Sequence, residues 1–179
     1  REAETGAVAN AYTSFDKTCY LFSCTGNFKA SLEILLDFVM HPYFTAATVQ
    51  KEQGIIGQEI RMCRDEPGWE ALFQLLRAMY KNHPVRIDIA GTEESISHIT
   101  ADLLYQCYHT FYNLSNIVLC AAGRVTAQAV LEVALRLLPG HTPVTLEPHF
   151  PAPPPRVHPP HREATLPPPS PAPCVSLPE

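Results

Sequence analysis

Residues 51–60 read KEQGIIGQEI, and the two glutamates in this run are the first candidates for chemistry. At 3.6 residues per turn, a helix places Glu52 and Glu59 almost one above the other. They share a flank with Val49, Ile56, Ile60 and Cys63, which the pattern predicts to be the inward side. Two carboxylates on an inward flank suit a divalent metal, one oxygen ligating directly and the second acid orienting the shell. They also suit the edge of an apolar stripe, paired with Lys51, Arg61 or solvent. Spacing leaves both readings open.

Other constellations are missing from the sequence. His83, His98 and His109 stand alone, and prolines between His158 and His161 forbid the helix that would converge them. Neither H-E-x-x-H nor H-x-x-E-H occurs, nor does G-x-S-x-G, a phosphate-cradling glycine loop or a dinucleotide fingerprint. Six cysteines (19, 24, 63, 107, 120 and 174) form no C-x-x-C pair. Cys19 and Cys24 fall on opposite faces of a strand, so the cysteines read as buried reduced thiols of a cytoplasmic protein.

The elements that must position the acids follow from periodicity. AVANAYTS and TCYLFSC, separated by FDK, read as a hairpin or two neighbouring strands. Asn27 is placed to cap a helix carrying Leu32, Leu35, Leu36 and Val39 at helical spacing. Thr45 or Thr48 opens a second helix, running to about Arg64, and the run Asp65-Glu66-Pro67-Gly68 breaks it. WEALFQLLRAMYKN is a third, with Leu72, Leu75, Leu76 and Met79 on one side. A connector with a short helix follows, then a helix capped by Thr100, a strand NIVLCAAG, and a last helix started by Thr126. This order predicts an α+β fold: a mostly antiparallel sheet with helices packed on one face.

Beyond Leu138 the composition changes, with 15 of the 18 prolines in residues 139–179. Residues 1–140 therefore read as one domain and 141–179 as a proline-rich linker or tail. A chain 46% hydrophobic and 17% charged can build a core. Its net charge of −5, without a Lys/Arg run, argues against nucleic-acid binding. No apolar stretch is long enough to span a membrane, and no secretory leader is visible. The chain starts at Arg1 in strand-like sequence, so we expect it to be incomplete at its N-terminus.

The run NAYTSFDKTCYLFSCTGNFKASLEILLDFVMHPYFTAATVQKEQGIIGQEIRMCRDEPGW resembles the pitrilysin/insulinase family of zinc metallopeptidases, the inverzincins. YKNHPVRIDIAGTEESISHITADLLYQCYHTFYNLSNIVLCAAGRV continues the likeness, which is greatest to bacterial insulinase-like processing peptidases and covers roughly residues 5–140. The tail is similar to the family's interdomain linker and the first strand of its second domain. The resemblance implies that Glu59, in I-I-G-Q-E-I, is the third zinc ligand and that Glu52 supports the metal from outside the ligand shell. The two histidines and the general base belong to H-x-x-E-H, which would lie upstream of Arg1. It further implies that Asn10, Ala11 and Tyr12 lie on an edge strand that takes an extended peptide substrate as an added strand. A second metallopeptidase-like domain or subunit would complete a peptide chamber. The expected function is that of a fragment of a zinc metalloendopeptidase, inactive alone. The alternative is a non-catalytic partner subunit of a family heterodimer, since members without the histidine motif pair with an active one. A weaker third reading is a helical binding module that uses the proline tail.

Overall fold

A computed structural model describes residues 6–138, 140–147 and 149. The proline-rich segment expected at 141–179 lies almost wholly outside them. The chain is α+β: one antiparallel two-stranded sheet and six α-helices among the described residues. Its described residues divide into two compact units, one from residues 6–44 and 102–146 and the other from residues 45–101.

In the first unit, β1 (Val8–Thr13) and β2 (Thr18–Ser23) form a hairpin, in register from Val8 opposite Ser23 to Thr13 opposite Thr18. Side chains alternate across a strand, so Ala9, Ala11, Tyr20 and Phe22 share one face and Asn10, Tyr12, Cys19 and Leu21 the other. The first face meets helices. Phe22 packs on a core of Leu32 and Leu36 from α1 (Phe28–Met40) and Val133 from α6 (Ala127–Leu137). Lys29–Glu132, at 2.7 Å, and Arg136–Glu33 link α1 to α6 at the surface. Helices thus lie on one face of the sheet, as the pattern predicts. Thr126 caps α6 through its hydroxyl, which accepts from the Ala129 amide at 3.2 Å. Asn27 differs: it takes the left-handed conformation that asparagine tolerates (φ 52°) and makes no side-chain cap, while its carbonyl accepts from the Ser31 amide.

Tyrosines tie α5 (Ala101–Phe111) into this unit from Asp102 onward. Tyr108 donates to the Val39 carbonyl at 2.8 Å, and the Phe44 amide donates to the Tyr105 hydroxyl at 3.1 Å. The Tyr20 and Tyr112 hydroxyls lie 2.8 Å apart, and Tyr108 stacks on Tyr112 with centroids 4.7 Å apart. Burial first, then the Tyr112 hydrogen bond, holds the Tyr20 phenol well above the ordinary tyrosine range. The folded state therefore ionises Tyr20 less readily than the unfolded state. Its stabilisation is complete below about pH 10, the unfolded value, and is lost as pH rises beyond that. We expect steep alkaline destabilisation that Tyr20→Phe blunts, measured as unfolding midpoint against pH by circular dichroism.

One predicted element is absent. NIVLCAAG is not a strand: Leu114–Asn116 forms a single 3-10 turn and residues 117–122 make no ladder. Val118 is 84% exposed. An apolar run signals a tendency to be buried, but a strand also needs a hydrogen-bonding neighbour, and none pairs with it among the described residues. Nor are all the thiols buried. The five described cysteines are free, and Cys107 and Cys120 are exposed.

The second unit is helical. Thr45 and Thr48 form a reciprocal capping box at the start of α2 (Ala46–Arg64). The breaking run then starts the next helix: Glu66 accepts from the Gly68 and Trp69 amides, and Pro67 is the first residue of α3 (Pro67–Met79). The buried face of α3 is set by Phe73, 1% exposed and in ring contact with Trp69, whereas Leu72 is 44% exposed. Trp69 Nε1 donates to Asp88 at 2.9 Å, tethering the connector. A second capping box, Thr92 with Ser95, opens the short α4 (Glu93–Ser97).

Candidate functional site

The rotation of α2 decides what its acids face. Val49, Gly57 and Ile60 are buried and Gln53 is half-buried, which defines the inward side. At 100° per residue the column of Glu52 and Glu59 stands about a quarter turn away. Both carboxylates are exposed. The inward flank expected for them therefore belongs to their neighbours, and Ile56, expected inward, is 36% exposed.

The acid column is nevertheless not an ordinary solvated edge. Ile55 (49% exposed) and Met62 (73% exposed) flank it on one side, and Ile56 with Cys63 on the other. Burial, followed by the nearby carboxylates of Glu59, Asp88 and Glu66, pushes the Cys63 thiol up. A thiol so placed is a poor nucleophile, because the thiolate is the reactive form. Arg61, on another side of α2, is engaged by Glu93 at 2.9 Å.

Glu59 and Glu52 are oxygen donors of the right kind for a metal, but no group of three or more His, Cys, Asp or Glu among the described residues could hold an ion. A catalytic zinc needs three protein ligands. Among the described residues there are carboxylates of suitable chemistry but no complete centre.

Asn10, Ala11 and Tyr12 lie together on β1, every residue of which is exposed. Asn10 and Tyr12 point to the face away from the helices, Tyr12 at 51% exposure, and the Ala11 amide donates to Asn10 Oδ1 at 2.8 Å. β1 pairs with β2 alone, so its other edge carries no strand among the described residues.

Sequence reasoning missed a cleft of about 680 Å³ between this hairpin and α1, lined by Ala9, Ala11, Tyr20, Phe38 and His41 among others. Asp37 Oδ1 meets His41 Nδ1 at 3.0 Å on its rim. Its signal was present: Ile34, Phe38 and His41 follow helical spacing on a second side of α1, away from the Leu32–Leu36 stripe. No helix among the described residues is long and apolar enough to cross a membrane.

Comparison with known proteins adds the following. Residues 2–93 match the family model described as insulinase (peptidase family M16), and residues 98–177 match that of the peptidase M16 inactive domain. The chain is 56% identical over 145 residues to the uncharacterized zinc protease YmfH of Bacillus subtilis, covering 81% of this chain and 34% of that protein. It is 31% identical over 131 residues to the mitochondrial-processing peptidase subunit beta of Caenorhabditis elegans, covering 72% and 28%. Among solved structures, an M16-like peptidase from Alicyclobacillus acidocaldarius superposes with a TM-score of 0.80 at 46% identity, over 87% of this chain and 37% of that one. The chain thus spans about a third of the length of the curated relatives it matches.

Proposed function

Because the chain belongs to the insulinase (M16) family of peptidases, we propose that it is the part of a zinc metalloendopeptidase that carries the third metal ligand, Glu59. Glu52, one heptad earlier on the same face of α2, orients that ligand. β1, through Asn10, Ala11 and Tyr12, receives the peptide as an added strand. The observation that carries the reading is the acid column of α2, held on a face whose apolar residues Ile55, Ile56 and Met62 are left uncovered. Large apolar side chains beside carboxylates on an open face mark a surface built to meet another element. In this reading that element is the histidine-bearing helix.

The roles of this chain's own residues follow. Glu59 supplies one anionic oxygen. The exposed row of β1 offers backbone donors and acceptors that bind an extended peptide with little regard to sequence, leaving selection to side chains. Zinc, when bound in this family, lowers the pKa of a water so that it can attack a peptide carbonyl. A second domain or subunit closes the peptide chamber, and the cysteine usage supports a cytoplasmic setting.

The polypeptide read through the coding sequence upstream of Arg1 is expected to contain H-x-x-E-H and to hydrolyse unstructured peptides. A chelator should abolish that activity, and the 179-residue chain alone should show none. Hydrolysis that survives chelation would overturn the reading. The alternative reading is a non-catalytic subunit that helps form the chamber, in keeping with the likeness to a protein named as a subunit of the mitochondrial-processing peptidase. An upstream sequence without the motif would decide for it.

A further inference from the structure

Three residues of α2 spaced four apart form a clasp on α4. At one end the Gln53 side-chain amide donates twice, to the Ile96 carbonyl at 2.8 Å and to the Ile99 carbonyl at 2.9 Å. In the middle is Gly57, where an added Cβ would meet Ile96 Cδ1 at 4.0 Å, so the buried Ile96 lies directly over the bare backbone. At the other end Arg61 Nη1 meets Glu93 at 2.9 Å. The pairing order shows α4 running antiparallel to α2. A five-residue helix has no stability of its own. Its hold on α2 comes from these contacts, and the exposed ion pair is the weakest of them.

We infer that this clasp sets the rotation of α2, and that Gln53 is a positioning residue for Glu59. The inference rests on the proposed role of Glu59 as ligand. Gln53, Gly57 and Arg61 occupy one stripe of α2, and the Glu52–Glu59 column lies on another side of the same rod. Fixing the stripe against α4 therefore fixes where the acids point. Gln53 suits the task because its NH₂ group provides two donors for two carbonyls. Without them, the Ile99 carbonyl loses its side-chain donor, the Ile96 carbonyl keeps only backbone donors such as the Ile99 amide at 3.1 Å, and α4 loses its side-chain amide contacts to α2.

The test compares Gln53→Met, which keeps length but has no donor, with Gln53→Arg, whose forked N–H donors can serve two carbonyls. Two quantities are measured: amide hydrogen exchange at 93–99 in the 179-residue chain, and zinc affinity by chelator competition in the upstream-extended polypeptide. Gln53→Met is expected to exchange faster at Ile96 and Ile99 and to weaken zinc about tenfold, as loss of a supporting contact does. Gln53→Arg should restore both. Unchanged zinc affinity in Gln53→Met, beside loss of zinc in Glu59→Gln, overturns the positioning role and leaves the ligand reading intact. Unchanged affinity in Glu59→Gln overturns both. If Gln53→Met fails to fold, Gln53→Arg decides: it must fold and hold zinc as the parent does, and a folded Gln53→Arg with weakened zinc overturns the role.

Discussion

Glu59→Gln, made in the upstream-extended polypeptide, is expected to lose at least 100-fold in zinc affinity and with it nearly all peptide hydrolysis. Glutamine keeps the volume and reach of glutamate and removes only the charge. Outer-shell losses already cost about 10- to 100-fold in metal affinity, and a direct ligand should exceed them. Glu52→Gln, acting at one remove, belongs inside that range. Because Glu59 is exposed and carries none of the core, the substitution should move the folding stability of the metal-free protein by no more than about 0.5 kcal/mol. Glu94→Gln, equally exposed on α4, serves as control and should change neither quantity. Competition titration with a chromogenic chelator gives the affinity. A Glu59→Gln protein that holds zinc as tightly as its parent would remove Glu59 from the ligand set.

Two helix start signals were legible in the sequence, since they depend on neighbours three residues apart, whereas Asn27 makes no side-chain cap and Glu66, in a run read as a break, caps α3. Thr45 with Thr48, and Thr126, are where a capping pattern places them. The α+β class and the packing of helices on one sheet face were equally accessible from alternating strands and periodic helices. The rotation of α2 was not. Its apolar residues, Val49, Ile55, Ile56, Ile60, Met62 and Cys63, spread over an arc of roughly 160°, so periodicity alone does not say which part of that arc faces inward. What selects one is tertiary: α4 settles over Gly57 and takes the Gln53 amide. The turn moves Glu52 and Glu59 from the expected flank to an exposed face. The miss at residues 116–123 has a related cause, since hydrophobicity is a property of the segment and a ladder is a property of two. In α3 the leucine spacing gave an approximate face, but the ring contact of Trp69 with Phe73 places its centre.

The scaffold that presents Glu59 depends on that centre, and Phe73→Ala is expected to carry the largest stability cost in the 45–101 unit. Phe73 is 1% exposed and lies 5.3 Å from the Trp69 ring, with the Arg77 guanidinium 6.0 Å from its centroid. Deleting a buried phenylalanine ring costs about 3–5 kcal/mol, through lost transfer energy and the cavity left behind. Whole domains are stable by only about 5–15 kcal/mol. A drop in melting temperature of roughly 6–20 °C should follow for a chain of this length, seen by calorimetry, with Phe73→Leu intermediate because it refills part of the space. A loss below about 1 kcal/mol would show that Phe73 is not the packing centre. The two substitutions have opposite signatures: Glu59→Gln removes metal and leaves the melt of the metal-free protein in place, whereas Phe73→Ala lowers that melt without touching a ligand. If zinc affinity measured well below the Phe73→Ala melt is retained, the carboxylate is held by α2 itself and its clasp. If it falls in proportion to the unfolded fraction, the helix presents its acids only while α3 supports it from beneath.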